Sequence, residues 1–251
     1  MEILGIDIGG SGMKAAVVNS QTGEWLTPRY RIETPHPAKY DHMLAALKDI
    51  QAHFSWQGPV GCGFPGVIRE QRIQTAANLH KSLVDKKLGK EVAELFGQPA
   101  WLINDADAAG MAEVRFGLPK GQAGVVLFLT IGTGIGTAFF TDGKLVPNSE
   151  FGHMIMSTGK DKFAEAEHYA ADSIRCREKL KWSEWAKRFN EFLNAIYALT
   201  QPDLIVVGGG VAKKGEKFMN HLKPPCPLSL ATLQNRAGIT GAALAAAEQA
   251  V

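Results

Sequence analysis

Ile6-Asp7-Ile8-Gly9-Gly10-Ser11-Gly12-Met13-Lys14 lies near the start of the chain, and Leu129-Thr130-Ile131-Gly132-Thr133-Gly134-Ile135-Gly136 repeats its grammar in the second half. In each, an apolar run ends in a glycine-rich turn. A second apolar run follows, Ala15–Val18 in one case and Thr137–Thr141 in the other. Turn residues come next, Gln21-Thr22-Gly23 and Asp142-Gly143, and Tyr30–Thr34 reads as a third strand in the first copy. Both stretches therefore read as antiparallel meanders of strand, glycine turn, strand, turn, strand. An internal repeat of this kind outranks local propensity in choosing an architecture. It implies two lobes, each with its own glycine hairpin, and a cleft between the hairpins.

The segments around the repeat supply helices and parallel strands. Tyr40–Phe54 carries Met43, Leu44, Leu47, Ile50 and Phe54 at helical spacing. Pro59–Phe64 reads as a buried strand ending in Phe64-Pro65-Gly66, and Leu83–Phe96 as a second amphipathic helix. Pro99–Ile103 is a short strand ending at Asn104-Asp105, followed by an alanine-rich helix over Ala106–Phe116. In the second half, Phe163–Arg175 and Trp185–Leu199 are expected helices, and Leu204–Val207 is a strand before Gly208-Gly209-Gly210. Ala237–Val251 is the closing helix. Strands alternating with crossover helices give an α/β fold with a partly parallel sheet.

Bulk properties narrow the functional classes. The 251 residues include 27 glycines, where a chain of this size averages roughly 18. The excess is clustered, which favours loops that bring backbone close to a ligand. A net charge of +2 gives no support for nucleic-acid binding. Cys62, Cys176 and Cys226 are few, odd in number and without metal-like spacing. That pattern fits a reducing compartment such as the cytoplasm. No apolar stretch reaches the roughly 18 residues of a membrane span. Asp7 interrupts the first apolar run and no basic region precedes it, so no secretory leader is expected.

Five groups of residues can carry chemistry. Gly9, Gly10, Ser11 and Gly12 let backbone amides converge on anionic oxygens, Lys14 adds a mobile cation, and Asp7 can hold a metal-bound water beside phosphate. The pattern is neither the dinucleotide fingerprint nor the Walker loop. Thr130, Gly132, Thr133 and Gly134 form a second cradle, and Gly208, Gly209 and Gly210 a third. A single such turn has a bland explanation, but three after apolar strands point to a phosphorylated ligand. Asp105, at the end of a strand and the start of a helix, can accept the proton of an alcohol that Asn104 fixes. Either residue can instead simply cap the helix. Glu150 and His153, with Glu165 and Glu167 downstream, suit sugar hydroxyls or a metal ion.

The motifs DIGGSGMK, GFPG at 63–66, the strand-ending ND at 104–105, GTGIG at 132–136, EFGH at 150–153 and IVVGGG at 205–210 resemble the ROK family of bacterial sugar kinases. The likeness runs over nearly the whole chain. It implies a two-lobed, actin-like fold of ribonuclease-H-like topology with the active cleft between the lobes. Residues 1–104, with a returning helix over 239–251, would form the small lobe and residues 105–238 the large one. The resemblance assigns Asp105 as the base on the 6-hydroxyl of glucose. It makes Asn78, Asn104, Glu150, His153 and Glu167 sugar ligands, and turns Asp7, Lys14 and the glycine turns toward the donor phosphates. It further implies Mg²⁺, a homodimer, and mannose as an alternative acceptor.

Many family members carry a cysteine-rich zinc motif after the Glu-Phe-Gly-His segment. Here Met154–Ala166 has no cysteine, so no structural zinc is expected. That absence, and the Trp182–Trp185 stretch with Ala186-Lys187, resemble the branch that uses inorganic polyphosphate beside ATP. The rival readings are a strictly ATP-dependent kinase and a non-catalytic sugar sensor. The DNA-binding branch needs an N-terminal helix-turn-helix that this sequence does not show. Two lysine groups offer a track for a polyanion: Lys81, Lys86, Lys87 and Lys90, with Lys86 and Lys90 on one helical face, and Lys213, Lys214 and Lys217 past the triple glycine.

Overall fold

A computed structural model describes residues 1–76, 79–159 and 162–250. The chain divides into two compact units, residues 1–112 with 236–251 and residues 113–235.

The first unit opens with β1 (Glu2–Ile8), β2 (Met13–Asn19) and β3 (Tyr30–Ile32), an antiparallel meander. Helix α1 (Tyr40–Phe54) leads to β4 (Val60–Phe64), the small hairpin β5 (Ile68–Arg69) and β6 (Arg72–Ile73), then α2 (Leu88–Phe96), β7 (Ala100–Asn104) and α3 (Asp105–Phe116). The strand order is β3-β2-β1-β4-β7, with β1, β4 and β7 parallel.

Successive side chains of a strand point to opposite faces, and β1 uses both. Leu4, Ile6 and Ile8 pack with Met43, Leu47 and Ile50 of α1 and with Leu88 and Val92 of α2. Ile3 faces the other way, toward Ile239, Ala243 and Ala246 of the last helix. Gly5 and Asp7 share that second face. At Gly5 the last helix comes so near that a Cβ would overlap the Ile239 carbonyl.

The second unit repeats the plan. Strands β8 (Val125–Ile131), β9 (Ile135–Thr141) and β10 (Lys144–Val146) form the meander. A two-stranded hairpin, β11 (Ile155–Gly159) and β12 (Lys162–Glu165), comes next, then α4 (Glu167–Ala170), α5 (Asp172–Arg177) and α6 (Trp182–Thr200). Strands β13 (Leu204–Gly208) and β14 (Leu228–Leu230) complete the sheet in the order β10-β9-β8-β13-β14, with β8, β13 and β14 parallel. Its core joins Leu127, Leu129 and Ile131 to Trp185, Phe189, Phe192 and Ile196 of α6. Glu113 is fully buried in this unit and accepts hydrogen bonds from the Thr232 amide, the Thr232 hydroxyl and the Leu233 amide at 3.2, 3.3 and 2.6 Å. Such bonds are what make a buried carboxylate tolerable. The chain then returns to the first unit as α7 (Ala237–Gln249).

Two expected helices change. Phe163 begins no helix: residues 162–165 pair with β11, and the Phe163 side chain is 70% exposed. Helix α2 starts at Leu88 rather than Leu83, because Asp85 takes a left-handed backbone (φ 64°) that no α-helix tolerates. Lys86 therefore precedes the helix that holds Lys90, and its ammonium sits over the Tyr40 ring at 4.8 Å. The two lysines share no helical face. Among the described residues no helix is long and apolar enough to cross a membrane.

A Cβ at Gly61 on β4 would overlap the Ala242 carbonyl of α7. Backbone cannot yield as a side chain can, so Gly61→Ala is expected to destabilise by about 1–3 kcal/mol or more. A fall in Tm checks this, and an unchanged Tm would contradict the close packing.

Candidate active site

In the first unit the candidate residues collect at the carboxyl edge of the parallel strands, the edge where α/β sheets bind ligands. Asp7 is the last residue but one of β1 and pairs in register with Lys14 on β2. The Lys14 ammonium lies 3.1 Å from Asp7 Oδ2. Gly238, in the first turn of α7, stands against the same carboxylate, so that a Cβ there would come within 3.1 Å of Cγ. Asp7 thus has a lysine on one side and the positive end of a helix on the other. The Gly9–Gly12 turn is closed by Gly9 N–H donating to Gly12 O at 3.2 Å, and the buried Thr34 hydroxyl donates to Gly9 O.

Two strands away, β7 ends at Asn104 and α3 begins at Asp105. Asn104 performs the capping: its Oδ1 accepts from the amides of Ala106 and Asp107 at 2.9 and 3.0 Å. Its Nδ2 donates to Gly66 O at 3.1 Å, tying down the turn after β4. An amide oxygen has two lone pairs, and both are used here. Asp105, at the first helical position, is not the capping residue. Asn78 lies outside the described residues.

In the second unit the two remaining glycine turns meet. Thr130 on β8 pairs with Gly208 on β13, so both strands end at one edge. Gly209 takes φ 76° and approaches Ile131 so closely that any side chain would collide with its backbone. Ser173, at the start of α5, holds the Gly132–Gly134 turn through bonds to Thr133 O at 2.6 Å and Gly132 O at 3.0 Å. Gly210 opens the 3-10 segment 210–217, where Lys213 donates to Asn235 Oδ1 at 3.0 Å and Lys214 lies 5.8 Å from the Trp182 ring.

The same unit gathers the acidic and imidazole groups. Thr137 on β9 is buried; its hydroxyl donates to Ser149 O and accepts from the Phe151 amide, fixing the segment that carries Glu150. A 3-10 turn over Phe151–His153 folds His153 Nε2 to 3.7 Å from Glu150 Oε2. His153 Nδ1 meets Glu165 Oε2 at 2.8 Å. Glu167 starts α4 and its Oε2 accepts from the Ile135 amide at 3.3 Å. It fills the space over Gly134, where a Cβ would overlap it. His168 lies 3.7 Å from Glu167 and 3.9 Å from Glu165.

Electrostatics differ across the cluster. Burial pushes Glu150 above the usual carboxylate range, the neighbouring His153 pulls it back in part, and Glu167 adds to the rise. The hydrogen bond to Glu165 raises His153, and the same bond lowers Glu165. His153, Glu165 and Glu167 each offer a ligand atom within 4.8 Å of the others, a candidate cation cluster without a cysteine. Glu165 stood in the sequence with Glu167 as a downstream carboxylate of the Glu150–His153 set, without a particular partner. Its partnership with His153 follows from hairpin pairing that periodicity does not reveal.

Comparison with known proteins identifies the family. The model of the ROK family matches residues 3–181. The chain belongs to the ROK family. A ROK relative, the polyphosphate glucokinase of Mycobacterium tuberculosis (strain CDC 1551 / Oshkosh), is 41% identical over 96% of this chain and 89% of its own length. The crystal structure of an inorganic polyphosphate/ATP-glucomannokinase from Arthrobacter sp. strain KM has a TM-score of 0.92, 38% identity and 99% coverage of both chains. A ROK family glucokinase from Streptomyces griseus, with glucose and AMPPNP, has a TM-score of 0.81 at 24% identity over 99% of this chain and 100% of its own, which shows the shared fold.

His153 is expected to titrate above its ordinary value of 6.5, and Glu165→Gln to bring it down. A raised histidine favours folding fully below the unfolded value and loses that contribution as pH climbs through the raised one. A lowered Glu165 contributes above about 4.5 and loses as pH falls through its depressed value. NMR titration of labelled histidine checks the direction; a His153 pKa at or below 6.5 in the parent would contradict the geometry.

Proposed function

We propose that this protein transfers the terminal phosphoryl group of inorganic polyphosphate, and of ATP, to the 6-hydroxyl of glucose. What carries the reading is likeness over 96% and 99% of this chain to two proteins named for polyphosphate-dependent phosphorylation, at 41% and 38% identity. The local geometry supports it, since Asn104 caps α3 and Asp105 opens that helix at the carboxyl end of β7.

Asp105 would accept the proton of the 6-hydroxyl as that oxygen forms its bond to phosphorus. The bond from phosphorus to the leaving phosphate oxygen breaks in the same displacement. A carboxylate within reach of the hydroxyl both orients the alcohol and takes its proton. Glu150, His153 and Glu167 would bind the other sugar hydroxyls. A carboxylate accepts, while a protonated imidazole donates. Glycine-turn amides and Lys14 would hold the donor phosphates, stabilising the charge that gathers on the transferring group.

Mg²⁺ keeps most of its waters and binds through phosphate oxygens and one or two carboxylates. The partly exposed Asp7 carboxylate beside the Gly9–Gly12 turn fits such a water-mediated contact. When bound there, the ion would offset donor charge.

All three cysteines are free thiols, and burial pushes Cys62 up to about 12. This is in keeping with the cytoplasm, as part of the same reading. The homodimer that the family resemblance implies is read by light scattering.

An activity matrix of long-chain polyphosphate and ATP against glucose, mannose, fructose and N-acetylglucosamine tests the reading. Turnover with ATP alone would make the enzyme nucleotide-specific, and glucose binding without turnover would make it a sensor. Asp105→Ala is expected to lower kcat by about 10²–10⁴-fold while calorimetric glucose binding persists. A variant keeping more than about a tenth of the parental kcat would remove Asp105 from its role.

A further inference from the structure

Three strands place three charged residues in one row. Asp7 on β1 is the register partner of Lys14 on β2, and Lys14 is the register partner of Arg31 on β3. Cross-strand partners point to the same face of a sheet. Here it is the face that Ile3, Ala16 and Val18 turn toward α7 further along the strands. The row ends at the Gly9–Gly12 turn. Arg31 Nη2 donates to Ser11 O at 3.2 Å, and the guanidinium covers Gly12 so closely that a Cβ there would lie 2.9 Å from Nε and Nη2. Gly12 is buried beneath it, while Gly10 and Ser11 form an exposed tip.

The charges in this row do not balance. Two cations directly opposite each other on neighbouring strands repel. Asp7 compensates Lys14 through its 3.1 Å ion pair, and Arg31 bonds to a neutral carbonyl. An anion at the loop tip would compensate the second cation. A guanidinium has five N–H donors in a planar fork that suits phosphate oxygens. Bonding Ser11 O leaves most of that fork for a ligand, and the same bond aims it at the tip.

We propose that Arg31 is a ligand of the donor's terminal phosphates, acting beside Lys14 at the Gly9–Gly12 turn. The inference rests on the phosphotransferase reading above and extends it to a residue outside any glycine motif. The ligand chemistry is a condensed phosphate, shared by polyphosphate and the phosphate tail of ATP. The alternative is a strut: Arg31 would merely brace the turn through Ser11 O. Gln keeps an N–H donor without the charge, and Lys keeps the charge without the fork.

The experiment compares the parent with Arg31→Gln, Arg31→Lys and Arg31→Ala. Donor KM is measured with tripolyphosphate and with ATP at saturating glucose, and tripolyphosphate binding is measured by calorimetry. Loss of a charge-assisted contact is expected to raise donor KM about tenfold or more in the Gln and Ala variants, with glucose KM within about twofold. The Lys variant should fall between them and the parent. Donor binding in Arg31→Gln should also depend less steeply on salt, as one fewer phosphate contact requires. A rise for tripolyphosphate alone would restrict the contact to polyphosphate. Parental donor KM in Arg31→Gln would overturn the proposal in favour of the strut. If the parent turns over neither donor, the phosphotransferase reading fails, and calorimetry still decides whether Arg31 binds a condensed phosphate.

Discussion

Main chain touches main chain where α7 crosses the first sheet, and the first unit depends on that approach. Gly5 on β1 and Gly61 on β4 lie where a side chain would collide with the carbonyls of Ile239 and Ala242, and Gly241 lets the same helix come as close to the Ala108 backbone of α3. Small residues let the helix settle close, and Ile3, Ala16 and Val18 then bury against Ile239, Ala243 and Ala246. The buried Thr240 hydroxyl accepts from the Trp25 indole at 3.1 Å, which fixes the helix along its axis. With the helix so placed, its amino end falls beside Asp7. The packing that completes the core thus also sets the charge environment of the first glycine turn.

The repeated strand order explains why the architecture was legible. In each sheet an antiparallel meander is followed by parallel strands, and both place their glycine turns at the carboxyl edge. Alternating and continuous apolar runs record that plan directly in sequence. Failures came where neighbours rather than period decide the structure. Phe163 suits a helix on spacing, but its segment pairs with Ile155–Gly159 and leaves the ring in solvent. Residues 83–96 keep a helical apolar pattern across Asp85, whose left-handed backbone ends any helix.

The candidate site divides in the same way. Asn104-Asp105 was visible as a strand end, yet sequence left the capping open between the two residues. The bonds from Oδ1 to the amides at 106 and 107 assign it to Asn104. Glu150 and His153 were legible because they lie three apart around Gly152. The Glu165–His153 bond was not, since it depends on the β11–β12 register that brings Glu165 opposite Ile155. Arg31 was equally hidden: nothing in its own segment marks it, and only pairing across two strands sets it beside Lys14.

The return of α7 also imposes an order on biosynthesis. Residues 113–235 are contiguous, so the second unit can complete its core before α7 is made. The first unit cannot. Its sheet is made early, but the helix covering one face comes only after the whole second unit, and Trp25 waits for a partner 215 residues downstream. Until then Ile3, Ala16 and Val18 face solvent on a nascent sheet, the kind of transient apolar surface that invites misassembly. Closing so long a loop adds little to the equilibrium cost, because loop entropy grows only logarithmically with length, but it is slow for a contact so distant in sequence. A chain cut before Ala237 would therefore hold every residue of the second unit and a first unit whose sheet lacks its covering helix.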